Sequence, residues 1–139
     1  MSKVTSRFAA AVAIALTVLA YAPATSSAEP AAHQVRYTLT STGDTGFDLY
    51  YLTTEPPSKE AYDADPYTFL KNERVNLAPG VPWVFETTLT DTQWAIITAS
   101  TAVHAMQAPP NPHCEIAIDG QVVVQQDGPY TAQCQLRDW

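Results

Sequence analysis

Along most of the chain, apolar and polar residues alternate in short runs. Val35, Tyr37 and Leu39 are interleaved with Arg36, Thr38 and Thr40. A period of two places one set on each face of a strand. Phe47, Leu49 and Tyr51 repeat the pattern, and Thr42-Gly43-Asp44-Thr45-Gly46 between the runs is turn chemistry. The two strands therefore read as a hairpin. Arg74–Leu77 reads as a short strand. Trp83, Phe85 and Leu89 fall on one face of the next strand, with Glu86 and Thr88 facing out. Gln93–Ala105 is a long apolar stretch with a β-branched centre, which favours a central strand over a helix. Asp119-Gly120 supplies the positive φ angles of a two-residue type I′ turn, so Glu115–Ile118 and Gln121–Gln125 form the clearest hairpin in the chain. A last alternating run spans Thr131–Arg137. About seven short strands and no convincing helix predict an all-β chain, an antiparallel β-sandwich.

Three stretches fall outside this alternation. Lys3 and Arg7 precede an uncharged apolar run from Phe8 to about Ala22, followed by Pro23 and the small residues Ser26-Ser27-Ala28. The order basic, apolar, small predicts a secretory signal peptide over 1–28, cleaved after Ala28, and one β-sandwich domain over 29–139. An uncleaved membrane anchor is the other reading, although the run of about 15 residues falls short of the roughly 20 that a span needs. Residues 53–72, with Pro56-Pro57, Pro66 and several acids, read as a long loop, a kind often functional or disordered. Ala108-Pro109-Pro110-Asn111-Pro112 reads as a rigid loop.

The charge balance narrows the partners. The chain has 7 basic and 14 acidic residues. The leader holds two of the basic residues (Lys3, Arg7) and none of the acidic ones, so residues 29–139 carry five against fourteen, a net of −9. A surface this acidic disfavours nucleic acid and anionic lipid headgroups.

The two cysteines lie in the exported part. An even pair in an oxidising compartment reads as a disulfide. Cys114 shares a face with Ile116 and Ile118, and Cys134 shares one with Ala132 and Leu136, so both thiols point inward. A bond closing a loop of about 20 residues contributes roughly 3 kcal/mol. Neither Cys-x-x-Cys nor closely spaced metal ligands are present.

Candidate chemistry is sparse. His33, His104 and His113 show no ligand spacing, and His113 beside Cys114 points to the opposite strand face. Glu55, Glu60, Asp63 and Asp65 make the long loop acidic, but Pro66 after Asp63-Ala64-Asp65 breaks the calcium-loop pattern. Ser41, Ser58 and Ser100 lie outside any Gly-x-Ser-x-Gly elbow. No catalytic, metal or cofactor-binding motif is found. The aromatic residues of the loop, Tyr62, Tyr67 and Phe69, are the candidate interaction residues; apolar side chains on an acidic loop form either a binding patch or a cap on the core.

Val35-Arg36-Tyr37, Pro82-Trp83, the run Cys114-Glu115-Ile116-Ala117-Ile118-Asp119-Gly120-Gln121-Val122 and the spacing to Cys134 together resemble the mycobacterial membrane protein small (MmpS) family. The resemblance implies an immunoglobulin-like sandwich with one disulfide outside the cytoplasmic membrane. It also implies an accessory role to large RND-type (MmpL) exporters of lipids or siderophores, with no catalytic residues. That family is held by an N-terminal transmembrane helix, whereas this chain reads as cleaved, and residues 53–72 read as an insertion.

The expectation is a non-enzymatic secreted or cell-envelope binding domain without cofactor. Its partner would be an RND-type exporter or an envelope lipid, with membrane attachment only if the N-terminal segment is kept. The alternative is a small extracellular enzyme or enzyme inhibitor acting through the acidic 53–72 loop or the Pro-rich 108–112 loop.

Overall fold

The computed structural model describes residues 30–138, so the predicted signal segment 1–28 lies outside the described residues. Eight strands form: β1 (His33–Thr40), β2 (Thr45–Leu52), β3 (Leu70–Leu77), β4 (Trp83–Leu89), β5 (Ile96–Ser100), β6 (His113–Ile118), β7 (Gln121–Asp127) and β8 (Thr131–Gln135). They make two antiparallel four-stranded sheets, ordered β4-β1-β6-β7 and β3-β2-β5-β8. The described residues thus form an all-β sandwich, as the alternation predicts, with eight strands rather than about seven. Strands β1 and β4 pair in one sheet while their successors β2 and β5 pair in the other. This crossed pairing is that of the B, C, E and F strands of an immunoglobulin domain.

The crossing corrects the first expected hairpin. β1 and β2 do not pair with each other; β1 lies between β4 and β6, and β2 between β3 and β5. Each strand has one apolar face, and two such strands satisfy it equally well face to face or side by side. Ser41 makes the crossing. Its buried hydroxyl donates to the Gly43 and Pro110 carbonyls (2.8 and 2.9 Å), and the Thr42 N–H also reaches the Pro110 oxygen at 2.8 Å. A chain reversal held in this way turns toward the other sheet.

The inner faces meet where the alternation places them. Val35, Tyr37 and Leu39 of β1 and Phe47, Leu49 and Tyr51 of β2 are fully buried, each contributing about 1.5–3 kcal/mol on leaving water. The Tyr51 ring sits 4.9 Å from Trp83, 4.8 Å from Phe85 and 6.2 Å from Tyr37, centre to centre. Its hydroxyl is satisfied by donating to Glu73 Oε1 at 2.7 Å on the edge strand β3. Cys114 of β6 and Cys134 of β8 bond across the core, so the disulfide ties one sheet to the other, with 6.1 Å between the Cα atoms.

The Asp119-Gly120 turn forms as expected, with φ of 50° and 84°. Asp119 does more than turn the chain: its carboxylate accepts from the Gln34 N–H (2.9 Å) and contacts His33 Nδ1 (2.7 Å), clamping the start of β1. The long strand expected over Gln93–Ala105 is only Ile96–Ser100. Asp91 caps a 3₁₀ turn at Thr92–Trp94, accepting from the Gln93 N–H. The ladder ends at Ser100, opposite Asp48 of β2 and Thr131 of β8; Thr101 then donates its N–H to the Tyr130 carbonyl and its hydroxyl to the Gly46 carbonyl. β8 itself stops at Gln135 rather than Arg137.

At the far end of β6, His113 is held between two carboxylates, Asp127 on Nδ1 (2.7 Å) and Glu115 on Nε2 (3.0 Å). The hydrogen bond to Glu115, chiefly, and that to Asp127 raise the imidazole pKa above its ordinary value, against a smaller opposing effect of burial.

Two outcomes are expected. Replacing both cysteines by alanine lowers the unfolding free energy by about 3 kcal/mol, from the 20-residue separation of the pair, measured by urea unfolding; an unchanged midpoint refutes the tie. For His113, the folded pKa lies above the unfolded value of about 6.5. Its stabilisation is therefore complete below that value and is lost as pH rises through the folded pKa. His113→Gln should cost more stability near pH 5.5 than near pH 8.5 in thermal melts, and an equal cost at both pH values speaks against the paired imidazolium.

Candidate functional site

Residues 53–72 are an ordered excursion, not a loose loop, and its last three residues already belong to β3. Ser58 caps a short helix, α1 (Lys59–Ala64), its hydroxyl accepting from the Ala61 N–H at 3.1 Å. Pro66–Thr68 forms a 3₁₀ turn with Pro in the first turn, where a missing N–H costs nothing. The two ends meet, with the Thr53 N–H and hydroxyl both donating to the Phe69 carbonyl (2.9 and 3.1 Å). Such closed excursions, packed by their own side chains, are compact and frequently functional.

Three of the acids of this stretch, Glu55, Asp63 and Asp65, have partners close by. The Glu55 carboxylate takes the Thr90 N–H (2.6 Å), the Thr90 hydroxyl (2.7 Å) and the Asp91 N–H (3.2 Å). Asp65 accepts from Thr68, and Asp63 Oδ2 pairs with Lys59 Nζ at 2.8 Å. Among the described residues no group of three or more His, Cys, Asp or Glu is arranged to hold a metal.

The three candidate aromatics divide. Phe69 is part-buried against the core, and the Tyr62 ring sits between it (6.5 Å) and the buried Trp94 (5.5 Å). The Arg137 guanidinium caps the other side of Trp94, 4.4 Å from its ring centre, and bonds Asp91 at 3.2 Å. Phe69 therefore packs as a prop for the core and does not line the groove. Tyr62 is shared between prop and surface. Tyr67 is free-standing, 68% exposed, with its ring 6.5 Å from that of Tyr50 and the planes inclined at 49°.

These residues frame a solvent-open cavity of about 340 Å³ between the excursion and the outer face of the second sheet. Tyr62, Asp63, Pro66 and Tyr67 form one wall. Tyr50 of β2, Ile96 and Thr98 of β5 and Leu70 of β3 form the floor. Tyr50 lies directly opposite Thr98 in the ladder, so both side chains project from the outer face. The candidate set Tyr62, Tyr67 and Phe69 thus supplies two of the lining residues and misses the floor. One signal could have found it. Tyr50-Tyr51-Leu52 breaks the alternation, and Leu52 is fully buried although it is out of phase with Tyr51. Apolar residues on both faces of a strand end require a cover on each side.

The Pro-rich stretch 108–112 is not an exposed rigid loop. Pro110 and Pro112 are buried, and the Pro110 carbonyl accepts from Ser41, Thr42 N–H and the Thr42 hydroxyl. The most exposed part of that connection is residues 102–108, with Met106 fully accessible and Val103 largely so.

Removing Phe69 should therefore cost about 2–4 kcal/mol, since a prop is lost from beneath Tyr62, whereas Tyr67→Ala should stay within about 0.5 kcal/mol of the wild type. Chemical denaturation of the two single variants checks this; equal losses would mean that Tyr67 also supports the fold.

Comparison with known proteins places this architecture. The chain is 42% identical over 118 residues to the uncharacterized protein Rv2576c of Mycobacterium tuberculosis, covering 84% of this chain and 75% of that protein. The uncharacterized protein Mb2606c of Mycobacterium bovis matches with the same identity and coverage. The family model of the Rv2576c beta-sandwich domain spans residues 37–134, from the middle of β1 to Cys134. The chain belongs to the Rv2576c β-sandwich domain family.

Proposed function

We propose that the protein is a non-enzymatic binding module of the extracytoplasmic space and that the tyrosine groove is its ligand surface. The observation that carries this reading is the exposed Tyr50–Tyr67 pair, which joins the floor of the groove on β2 to an excursion whose ends are hydrogen-bonded shut. A surface aromatic that is already held in place loses little conformational freedom on binding, so its burial goes largely into affinity. A fold would gain nothing by leaving such rings in water. The disulfide supports the extracytoplasmic assignment, because these bonds persist in oxidising compartments. The predicted leader over residues 1–28 supports export by the same route.

In its specific form the module is an accessory to an RND-type (MmpL) exporter, contacting the exporter or its lipid cargo. That part rests on the sequence resemblance to the MmpS family. The acid-rich surface suits a protein partner or a neutral lipid better than an anionic headgroup.

Affinity capture from mycobacterial envelope membranes tests the proposal, with the eluate analysed for proteins and for lipids. The wild type should recover an RND-type exporter or an envelope lipid. The Tyr50→Ala/Tyr67→Ala variant should recover about 10-fold less while melting at the wild-type temperature, because both rings lie outside the core. Recovery of neither class, or equal recovery by both proteins, overturns it.

A further inference from the structure

We propose that the tyrosine groove takes an alkylammonium cation, with the rings of Tyr50 and Tyr67 as its aromatic contacts and Asp63 as the counter-charge. This rests on the reading of the groove as a ligand surface and names its ligand chemistry.

Four observations point the same way. First, the lining is aromatic and acidic, with no Lys or Arg in it. The negative faces of aromatic rings attract a cation within about 6 Å of the ring centre, most strongly where water is partly excluded. Second, the Tyr50 and Tyr67 rings lie 6.5 Å apart centre to centre with their planes inclined at 49°, the spacing of an aromatic pair in contact. Both border the same opening, so a cation seated against the pair meets both rings at once. Third, Asp63 is the one ionised lining residue. Its charge reaches into the groove, where after burial it is the second influence raising the Tyr62 hydroxyl pKa. Lys59 engages Asp63 through Oδ2, as an exposed pair two-thirds open to solvent on the lysine side, and such pairs contribute at most about 1 kcal/mol. A competing ammonium therefore meets weak resistance. Fourth, the whole domain favours cations. Arg36, Lys59, Lys71, Arg74 and Arg137 each already face a carboxylate, which leaves the surplus of the 14 acids uncompensated. A field of that sign concentrates cations near the surface and repels anions.

Other small-ligand classes fit less well. A sugar needs several planar hydrogen-bonding side chains around its hydroxyls, and the groove offers only Thr98, Asp63 and phenol hydroxyls. An acyl chain is best held in an enclosed apolar cavity, and this one is open to solvent. A trimethylammonium or lysine-type ammonium group asks for ring faces and a nearby negative charge, and for few hydrogen bonds.

The test is a nuclear magnetic resonance titration of the disulfide-bonded protein, followed on the aromatic signals of Tyr50 and Tyr67. The ligands are choline, its uncharged isostere 3,3-dimethylbutan-1-ol, and Nα-acetyl-lysine methylamide with and without trimethylation. Choline should saturate and bind about 10-fold tighter than the isostere, the ratio for about 1.4 kcal/mol of cation–π and charge attraction. Tyr67→Ala and Asp63→Asn should each weaken it severalfold, while Tyr67→Phe, which keeps the ring, should not. Choline or trimethyl-lysine binding without plain lysine assigns the site to quaternary ammonium compounds. Binding of plain lysine as well assigns it to a basic side chain of a partner. Equal binding of choline and the isostere overturns the cation while leaving an apolar ligand groove in place. Binding of none of the four overturns the inference, and the envelope capture then decides separately whether the groove has a partner.

Discussion

Cys114 and Cys134 sit on strands of different sheets, and their bond fixes the distance and phase at which the two inner faces meet. The rest of the structure depends on that meeting. Tyr37 and Phe85 from one sheet interlock with Tyr51 from the other, and none of these rings could be dry if the sheets stood apart. A domain of this size buries a modest core, so a covalent tie across it carries a large share of a net stability of order 5–15 kcal/mol. Ser41 serves the same end without a covalent bond. It turns the chain from the first sheet toward the second and ties that turn to the Pro110 carbonyl.

With the sandwich held, its outer surface is free for something other than stability. The second sheet uses one end of its outer face to support the 53–69 excursion. The support is layered: Phe69 lies beneath Tyr62, Trp94 beside it, and Arg137 covers Trp94. Glu55 fastens the excursion's entry to the Thr90–Asp91 turn. The tyrosines that remain in solvent are thus set on a braced platform.

Much of this was legible in the residues. The alternation in β1, β2 and β4 placed the inward residues correctly, and Asp119-Gly120 marked its turn, because both signals are local: a pleat of period two and a positive φ. The pairing of strands was less legible. β1 and β2 are adjacent in sequence and each has one apolar face, which is equally compatible with a hairpin and with a crossing between sheets. The end of β5 was hidden as well, since Thr101, Ala102 and Val103 carry on the small and β-branched residues of the strand before them while the ladder pairing stops at Ser100.

Legible in the sequence alone were an all-β sandwich, the inward face of most strands, the two cysteines facing inward and a departure from the alternation after Leu52. Those follow from periodicity and from side-chain chemistry, which need no partner to be read. Only the tertiary structure decided that the cysteines join opposite sheets and that Phe69 is a prop. It also brought Tyr50, Leu70, Ile96 and Thr98, dispersed over three strands, under Tyr62 and Tyr67 to make a groove. Residues so far apart in the chain become neighbours only through strand register and the folding-back of the excursion, and neither leaves a local mark on the sequence beyond the doubled apolar pair Tyr51-Leu52.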